Sequence, residues 1–361
     1  MGLSSELREL IEGIDPPDPA VVKRAGIRQA RLTKPPGSLG RLEEISVRLA
    51  GIFGSTRPVV KGRSLVIAAG DHGVVAQGVT AYPQEITGQM VLNFLAGGAA
   101  VTAMTRSLGV DVTVVDAGVK SGLPEHPGLI SLRIGAGTAD ISMGPAMSRE
   151  QAERCVLEGA RIGANVAGSG SGLVATGDMG IGNTTPSSAI TAAITGMPPE
   201  VTTGRGTGRN AHELKHKTEV VARALAVNDP DTEDPIDVLG KVGGFEIGVL
   251  SGVMLGAASR GSAVVIDGFI SGAAALIATG LCPASGDYLF AGHRSAEAGH
   301  SIVLDHLGLE PILDLDMRLG EGTGAVLAMS IVEAAAACLA EMATFDEAGV
   351  SDAEPEKIHG K

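Results

Sequence analysis

At 361 residues and 44% hydrophobic content, the chain is long enough for a large buried core and too apolar to be disordered. Aromatic residues are 2% with no Trp, so Ala, Val, Leu and Ile must build the core; 52 glycines without a three-residue period exclude collagen and gather behind short apolar runs, as tight turns and close ligand approach require. A formal net charge of −13 disfavours nucleic acid and anionic membranes as partners, so a phosphate-bearing ligand needs a local site.

The first sixty residues read as polar helices. Leu7 to Ile14 and Pro19 to Leu32 carry helical spacing, and Lys34-Pro35-Pro36-Gly37-Ser38-Leu39-Gly40 breaks it as a rigid turn. Helical period resumes over Arg41 to Phe53, with Leu42, Ile45, Leu49 and Ile52 on one face. Met1 to Glu12 is charged and lacks an apolar signal core.

The pattern then changes. Six short apolar runs each lead into a Gly- or Asp-rich loop: Leu65–Ala69, Val110–Val115, Leu173–Thr176, Ala263–Ile266, Tyr288–Ala291 and Ile312–Leu315. Such runs alternating with helical segments predict βαβ units: an α/β fold with a Rossmann-like parallel sheet flanked by helices. Right-handed crossovers bring all strand C-termini, and so all six loops, to one edge, where ligands of open α/β sheets bind. The apolar stretch Ala325 to Ala343 is interrupted by Glu333 and Glu341, which favours a buried helix over a membrane span. Val326 to Met342 is expected to return to the N-terminal helices, making a small helical domain of 1–60 plus 336–361 beside a catalytic domain of 61–335. The segment from Asp346 to Lys361 reads as a surface tail. Cys155, Cys282 and Cys338 are far apart without a CxxC, as expected of reduced thiols in the cytoplasm.

Gly320-Glu321-Gly322-Thr323-Gly324 is the most informative motif. Its glycines admit a planar ligand and its carboxylate can take a proton, a role that partial desolvation would improve; the alternative is a solvated carboxylate favouring the next helix N-terminus. Gly177 to Thr185 (GDMGIGNTT) offers backbone N–H groups and hydroxyls at a helix N-terminus, suited to phosphate or ribose, or is a plain glycine turn. Gly204-Arg205-Gly206-Thr207-Gly208, with Lys215 or Lys217 nearby, reads as a second anion cradle. Gly292-His293-Arg294-Ser295 adds a hydroxyl and a cation, unless Ser295 is only a helix cap. Gly70-Asp71-His72-Gly73 reads as a polar strand-end turn rather than a metal or general-base site. His212-Glu213-Leu214-Lys215-His216 matches the zinc-hydrolase HExxH, but its surroundings are strongly cationic and no third ligand motif follows.

In this order and number, the segments KPPGSLGRLE from Lys34, AAGDHGVVAQGVTAYPQEIT from Ala68, GDMGIGNTT, GRGTG, GGFEIGVLSG from Gly243, DGFISGAAAL from Asp267, GHRSAEAGH and RLGEGTGA from Arg318 resemble the nicotinate-nucleotide–dimethylbenzimidazole phosphoribosyltransferases of cobalamin biosynthesis, from about Lys34 to about Ala335. The resemblance implies a homodimer and transfer of ribose 5-phosphate from nicotinate mononucleotide to 5,6-dimethylbenzimidazole, giving α-ribazole 5′-phosphate and nicotinate. It implies Glu321 as the base, Gln89, Met179 and Leu319 around the aromatic acceptor, and Asp178, Gly180, Gly206, Lys217 and Ser295 around the phosphoribosyl group. No metal or cofactor is implied. Asp178 departs from the pattern, since the family commonly has Glu there. Other readings are the same chemistry on another aromatic base such as adenine, a zinc hydrolase using His212, Glu213 and His216, and a nucleotide-binding sensor without turnover.

Overall fold

The computed structural model describes residues 3–204, 206 and 211–351. Arg205, Thr207 and Gly208 of the second cradle, and the tail beyond Ser351, lie outside the described residues. The chain forms two compact units: residues through Pro16 together with Val60–Ser330, and Pro17–Val59 together with the chain from Ile331.

The larger unit is built on one parallel sheet of six strands: β1 (Arg63–Gly70), β2 (Asp111–Gly118), β3 (Leu129–Ser131), β4 (Leu173–Met179), β5 (Ala263–Ile266) and β6 (Leu289–Ala291). Their spatial order is β3-β2-β1-β4-β5-β6, and every pairing is parallel. This is the expected Rossmann-like architecture. The order reverses between β1 and β4, in register from Arg63 opposite Leu173 to Ala69 opposite Met179. A crevice therefore opens where Gly70-Asp71 and Met179-Gly180 leave the sheet.

Five of the six predicted runs are strands. Ile312–Leu315 is not; it makes a single parallel bridge, Leu313 to His293. Asp314 and Asp316 flank Leu315, which is 58% exposed, so the segment has no second face to bury. The sixth strand is instead Leu129–Ser131, three residues too short to show a period.

Helix Phe245–Ala258 is buried at every residue. It packs against helix Arg149–Gly168 through glycines on both sides. A Cβ on Gly252 or Gly256 would collide with the carbonyl oxygens of Val156 or Ala160, and one on Gly159 or Gly163 with those of Val249 or Val253. Two helical stretches, Ile86–Leu108 and Thr323–Glu341, are long and apolar enough to cross a membrane by length and composition. The first breaks at Gly97 (φ 76°) into two helices. The apolar window of the second is 61% buried within the protein.

The N-terminal helix Ser5–Glu12, read from sequence as part of the small domain, belongs to the larger unit. Leu7 is fully buried, the Arg161 guanidinium pairs with Glu6 at 2.6 Å, and the Tyr288 hydroxyl donates to the Asp15 carbonyl at 2.8 Å. At the other end the division falls at Ile331 rather than 336.

The smaller unit contains helices Pro19–Ala30 and Arg41–Ile52 and the end of helix Thr323–Glu341. Val21, Ala25, Leu32, Ala50 and Leu339 form its core. Arg28 donates to the Leu339 and Met342 carbonyls at 3.0 and 2.7 Å, satisfying acceptors left open at a helix C-terminus. The half-buried Lys34–Glu43 pair at 2.6 Å closes the KPPGSLG turn.

Candidate active site

The crevice at the β1/β4 switch leads into a pocket of about 520 Å³ within the larger unit. The ends of β4, β5 and β6 contribute Asp178 to Gly180, Gly268 and His293 to its lining. Val79, Thr80, Tyr82, Ile86 and Met90 supply an apolar side, and the loop before helix Thr323–Glu341 supplies Arg318 to Glu321.

Two helices aim their N-termini at this space. Asn183 and Thr184 open helix Thr184–Thr195, and Gly268 to Ile270 open helix Phe269–Leu281; all line the pocket. Their dipoles favour an anion. Lys217 brings the full positive charge. It is 1% exposed, and its Nζ donates to Thr184 Oγ1 at 2.7 Å and to the Gly204 carbonyl at 3.4 Å. The Gly206 N–H donates to Glu297 at 3.3 Å, and the Gly206 carbonyl accepts from Arg318 at 3.3 Å, so both sides of the pocket tether this glycine.

Glu321 sits between two glycines, and Gly320, Glu321 and Gly322 have φ of 80°, 64° and 91°. A left-handed glutamate costs roughly 1–2 kcal/mol, so its surroundings must impose the conformation. The Glu321 N–H donates to the Asp178 carbonyl at 3.2 Å. A Cβ on Gly322 would stand 2.5 Å from Leu65 Cδ1. Glu321 is 5% exposed, and its Oε2 is buried with no hydrogen-bond partner among the described residues. Burial pushes its carboxyl above the ordinary glutamate value; the Val101 N–H offsets part of this, and the Asp267 charge adds to it. The reading as a solvated carboxylate at the next helix N-terminus does not hold, because Asp267 occupies that position. Its oxygens accept from the N–H groups of Gly322, Gly324 and Ala325 at 3.2, 2.7 and 3.0 Å.

Asp178 is buried on β4, with Asn183 Nδ2 donating to it at 2.8 Å. Burial, reinforced by the Asp267 charge, lifts its carboxyl to about 8. Behind the switch, His72 and Glu246 pair at 2.8 Å, both buried. Burial alone would depress the imidazole, but the Glu246 carboxylate reverses this and its pKa is raised. A pocket with a buried carboxyl raised above its ordinary value at Glu321 on one side and a buried ammonium between helix N-termini on another can bind a phosphorylated sugar and take up a proton more readily than a free glutamate would.

A family model described as phosphoribosyltransferase matches residues 14–350. The chain is 56% identical over 348 residues to the nicotinate-nucleotide–dimethylbenzimidazole phosphoribosyltransferase of Chloroflexus aggregans, covering 96% of this chain and 99% of that protein. It is 56% identical over 347 residues to the Roseiflexus sp. protein of the same name, covering 96% and 98%. A crystal structure of the Thermus thermophilus protein of that name superposes with a TM-score of 0.89 at 48% identity, covering 93% of this chain and 100% of that one. The chain belongs to the nicotinate-nucleotide–dimethylbenzimidazole phosphoribosyltransferase family.

Of the residues that family resemblance nominated, Asp178, Met179, Gly180, Gly206, Lys217, Ser295, Leu319 and Glu321 all line this pocket. Gln89 does not. It is exposed on helix Ile86–Leu95, and its neighbours Ile86 and Met90, one helical turn apart on a shared face, line the pocket instead. Leu319, 57% exposed, stands at the mouth. Arg294, the cation expected from the GHRS segment, turns to Ser301 at 3.2 Å, while His293 faces the pocket. Ser295 is no helix cap, since helix Ala298–Leu307 starts after Glu297. In the HELKH segment His212 is exposed, and His216 Nε2 lies 2.7 Å from the Gln77 carbonyl. That nitrogen must carry a proton to bond a carbonyl, which takes it out of metal ligation. Asn183, His293 and Glu297 also line the pocket without having been assigned a role, and Asp267 holds the loop that carries Glu321. The available signal was positional: Asp267, like Asp116 and Asp178, closes an apolar run just before a glycine-containing loop.

Proposed function

We propose that this protein transfers ribose 5-phosphate from nicotinate mononucleotide to 5,6-dimethylbenzimidazole, forming α-ribazole 5′-phosphate and nicotinate, with Glu321 as the general base. The observation that carries the reading is the buried Glu321 oxygen, without a hydrogen-bond partner among the described residues, in a pocket that also contains Lys217 and two helix N-termini. Lys217, Gly180, Gly206 and Ser295 hold the phosphoribosyl group. The apolar side formed by Ile86, Met90, Met179 and Leu319 accepts the flat base.

The nicotinate ring of the donor is a pyridinium, so its bond to C1′ can break with the electron pair returning to nitrogen, and no proton is needed by the leaving group. Oxocarbenium character develops at C1′. One benzimidazole nitrogen attacks C1′ from the opposite face, which converts the β-linked donor into the α-linked product. Glu321 removes the proton from the other nitrogen, so the product base ends uncharged. The chemistry calls for no cofactor.

We further infer a cytoplasmic homodimer, with neither nucleic acid nor membrane as partner. The three free cysteines support the compartment and the net charge of −13 supports the exclusion of polyanions. Light scattering on the purified protein tests the dimer.

The deciding experiment is turnover of the two substrates in the presence of chelator, following nicotinate release and the anomeric form of the product. Nicotinate with an α-linked ribotide is expected. Donor binding without turnover across a panel of aromatic bases, adenine included, would reject the transferase reading in favour of a sensor.

A further inference from the structure

We propose that Asp267 is a positioning residue for Glu321: one carboxylate oxygen holds the backbone beside the base while the other holds the helix that follows it. The inference rests on Glu321 being the base.

Glycine at 320 and 322 allows the positive φ values but equally allows others, and the Thr323 N–H and hydroxyl close a turn on the Gly320 carbonyl at 3.1 and 2.9 Å. Two neighbouring strand ends fix that turn in place. The Asp178 carbonyl on β4 takes the Glu321 N–H at 3.2 Å. Asp267, fixed one residue beyond β5 and 0% exposed, takes the rest. Its Oδ1 accepts from Gly324 and Ala325 at 2.7 and 3.0 Å, at the start of helix Thr323–Glu341. Its Oδ2 accepts from Gly322, the residue next to the base, at 3.2 Å. His293 Nε2 stands 3.6 Å from Oδ1, and its ring occupies the space that any Cβ on Gly324 would need. The carboxylate thus has two separable tasks, one on each oxygen.

Asp267→Asn separates them. Its amide oxygen can keep the helix contacts, whereas its NH₂ would face the Gly322 N–H, donor against donor. The loop is released next to Glu321 while the helix stays anchored. Loss of placement at a catalytic group lowers kcat by up to ~10²-fold. The donor's phosphate ligands are untouched, so its KM should stay within about threefold.

The experiment measures kcat and KM for nicotinate mononucleotide in Asp267→Asn, Glu321→Gln and the double variant, each checked by circular dichroism. Expected are a fall of ~10- to 100-fold in kcat for Asp267→Asn and less than about twofold further loss when it is added to Glu321→Gln. An equal loss in both backgrounds, or a loss carried by KM alone, overturns the role of Asp267 and leaves the base assignment standing. Near-normal turnover in Glu321→Gln overturns the base assignment and this inference with it. If Asp267→Asn fails to fold, Asp267→Ser keeps a helix-capping hydroxyl without reaching Gly322 and is read by the same criteria.

Discussion

A carboxyl group works as a base near neutral pH only when something keeps it from being either a free ion or a satisfied one. Glu321 meets that condition through burial and an oxygen with no hydrogen-bond partner among the described residues. Glu321→Gln should retain donor binding and lose on the order of 10²–10⁴ in kcat, the usual weight of a general base, as steady-state kinetics would show. Because burial raises its pKa in the free protein, the acid limb of the kcat/KM profile should lie above the value of a free glutamate. A limb at the value of a free glutamate would reject Glu321 as the group reporting there. Asp178 makes a separate prediction about stability. Its folded value of about 8 exceeds the unfolded value of 3.8, so the folded state holds the proton more tightly. The associated stability is fully present below pH 3.8 and is lost as pH rises through about 8. Asp178→Asn cannot lose a proton, so melting temperatures should show a gain over the parent that is larger at pH 9 than at pH 6. This carboxyl accepts from Asn183, and the Asp178 carbonyl holds the Glu321 N–H.

Secondary-structure elements were legible in the sequence where a period had room to repeat. Ala263–Ile266 matches β5 residue for residue, and Leu173–Thr176 differs from β4 only in stopping before Gly177-Asp178-Met179. Those three residues have loop composition, yet pairing with Ile67, Ala68 and Ala69 of β1 holds them in the strand. Ile312–Leu315 failed in the opposite sense: the Ile312 and Leu313 N–H groups reach the Ala291 and Gly292 carbonyls at the end of β6, but Asp314 and Leu315 turn out to solvent and the pairing stops at one bridge. The fully buried helix Phe245–Ala258 has no apolar face to detect, since every face is apolar. Its spaced glycines are the readable trace of a close helix contact. Gly252→Ala should force the two helices apart, with overpacking that costs about 1–3 kcal/mol in chemical denaturation. At the β1–β4 site several loops were recognisable singly, but only the strand order β3-β2-β1-β4-β5-β6 explains why they meet.

For the molecule as a whole, an acidic protein that binds an anionic nucleotide sets a long-range repulsion against a short-range attraction. The repulsion from a net charge of −13 is screened by salt, whereas the buried Lys217 and the helix N-termini act inside the pocket, where screening is weak. Raising ionic strength to about 0.15 M should therefore hold kcat/KM for nicotinate mononucleotide steady or raise it by about twofold. A steep fall would mean that exposed cations outside this pocket carry the binding. By itself the sequence determined the parallel α/β class, the family and nearly every pocket-lining residue the family nominates, because short apolar runs and ordered glycine motifs are written contiguously in the chain. Tertiary structure alone decided that Glu321 is buried rather than solvated, that Asp267 takes the helix N-terminus in its place, that His293 rather than Arg294 faces the pocket, and that Gln89 stays outside it. Each of these depends on what a side chain meets in the folded chain, for Glu321 and Asp267 across tens or hundreds of residues, where burial and hydrogen bonding are settled by packing and leave no local pattern.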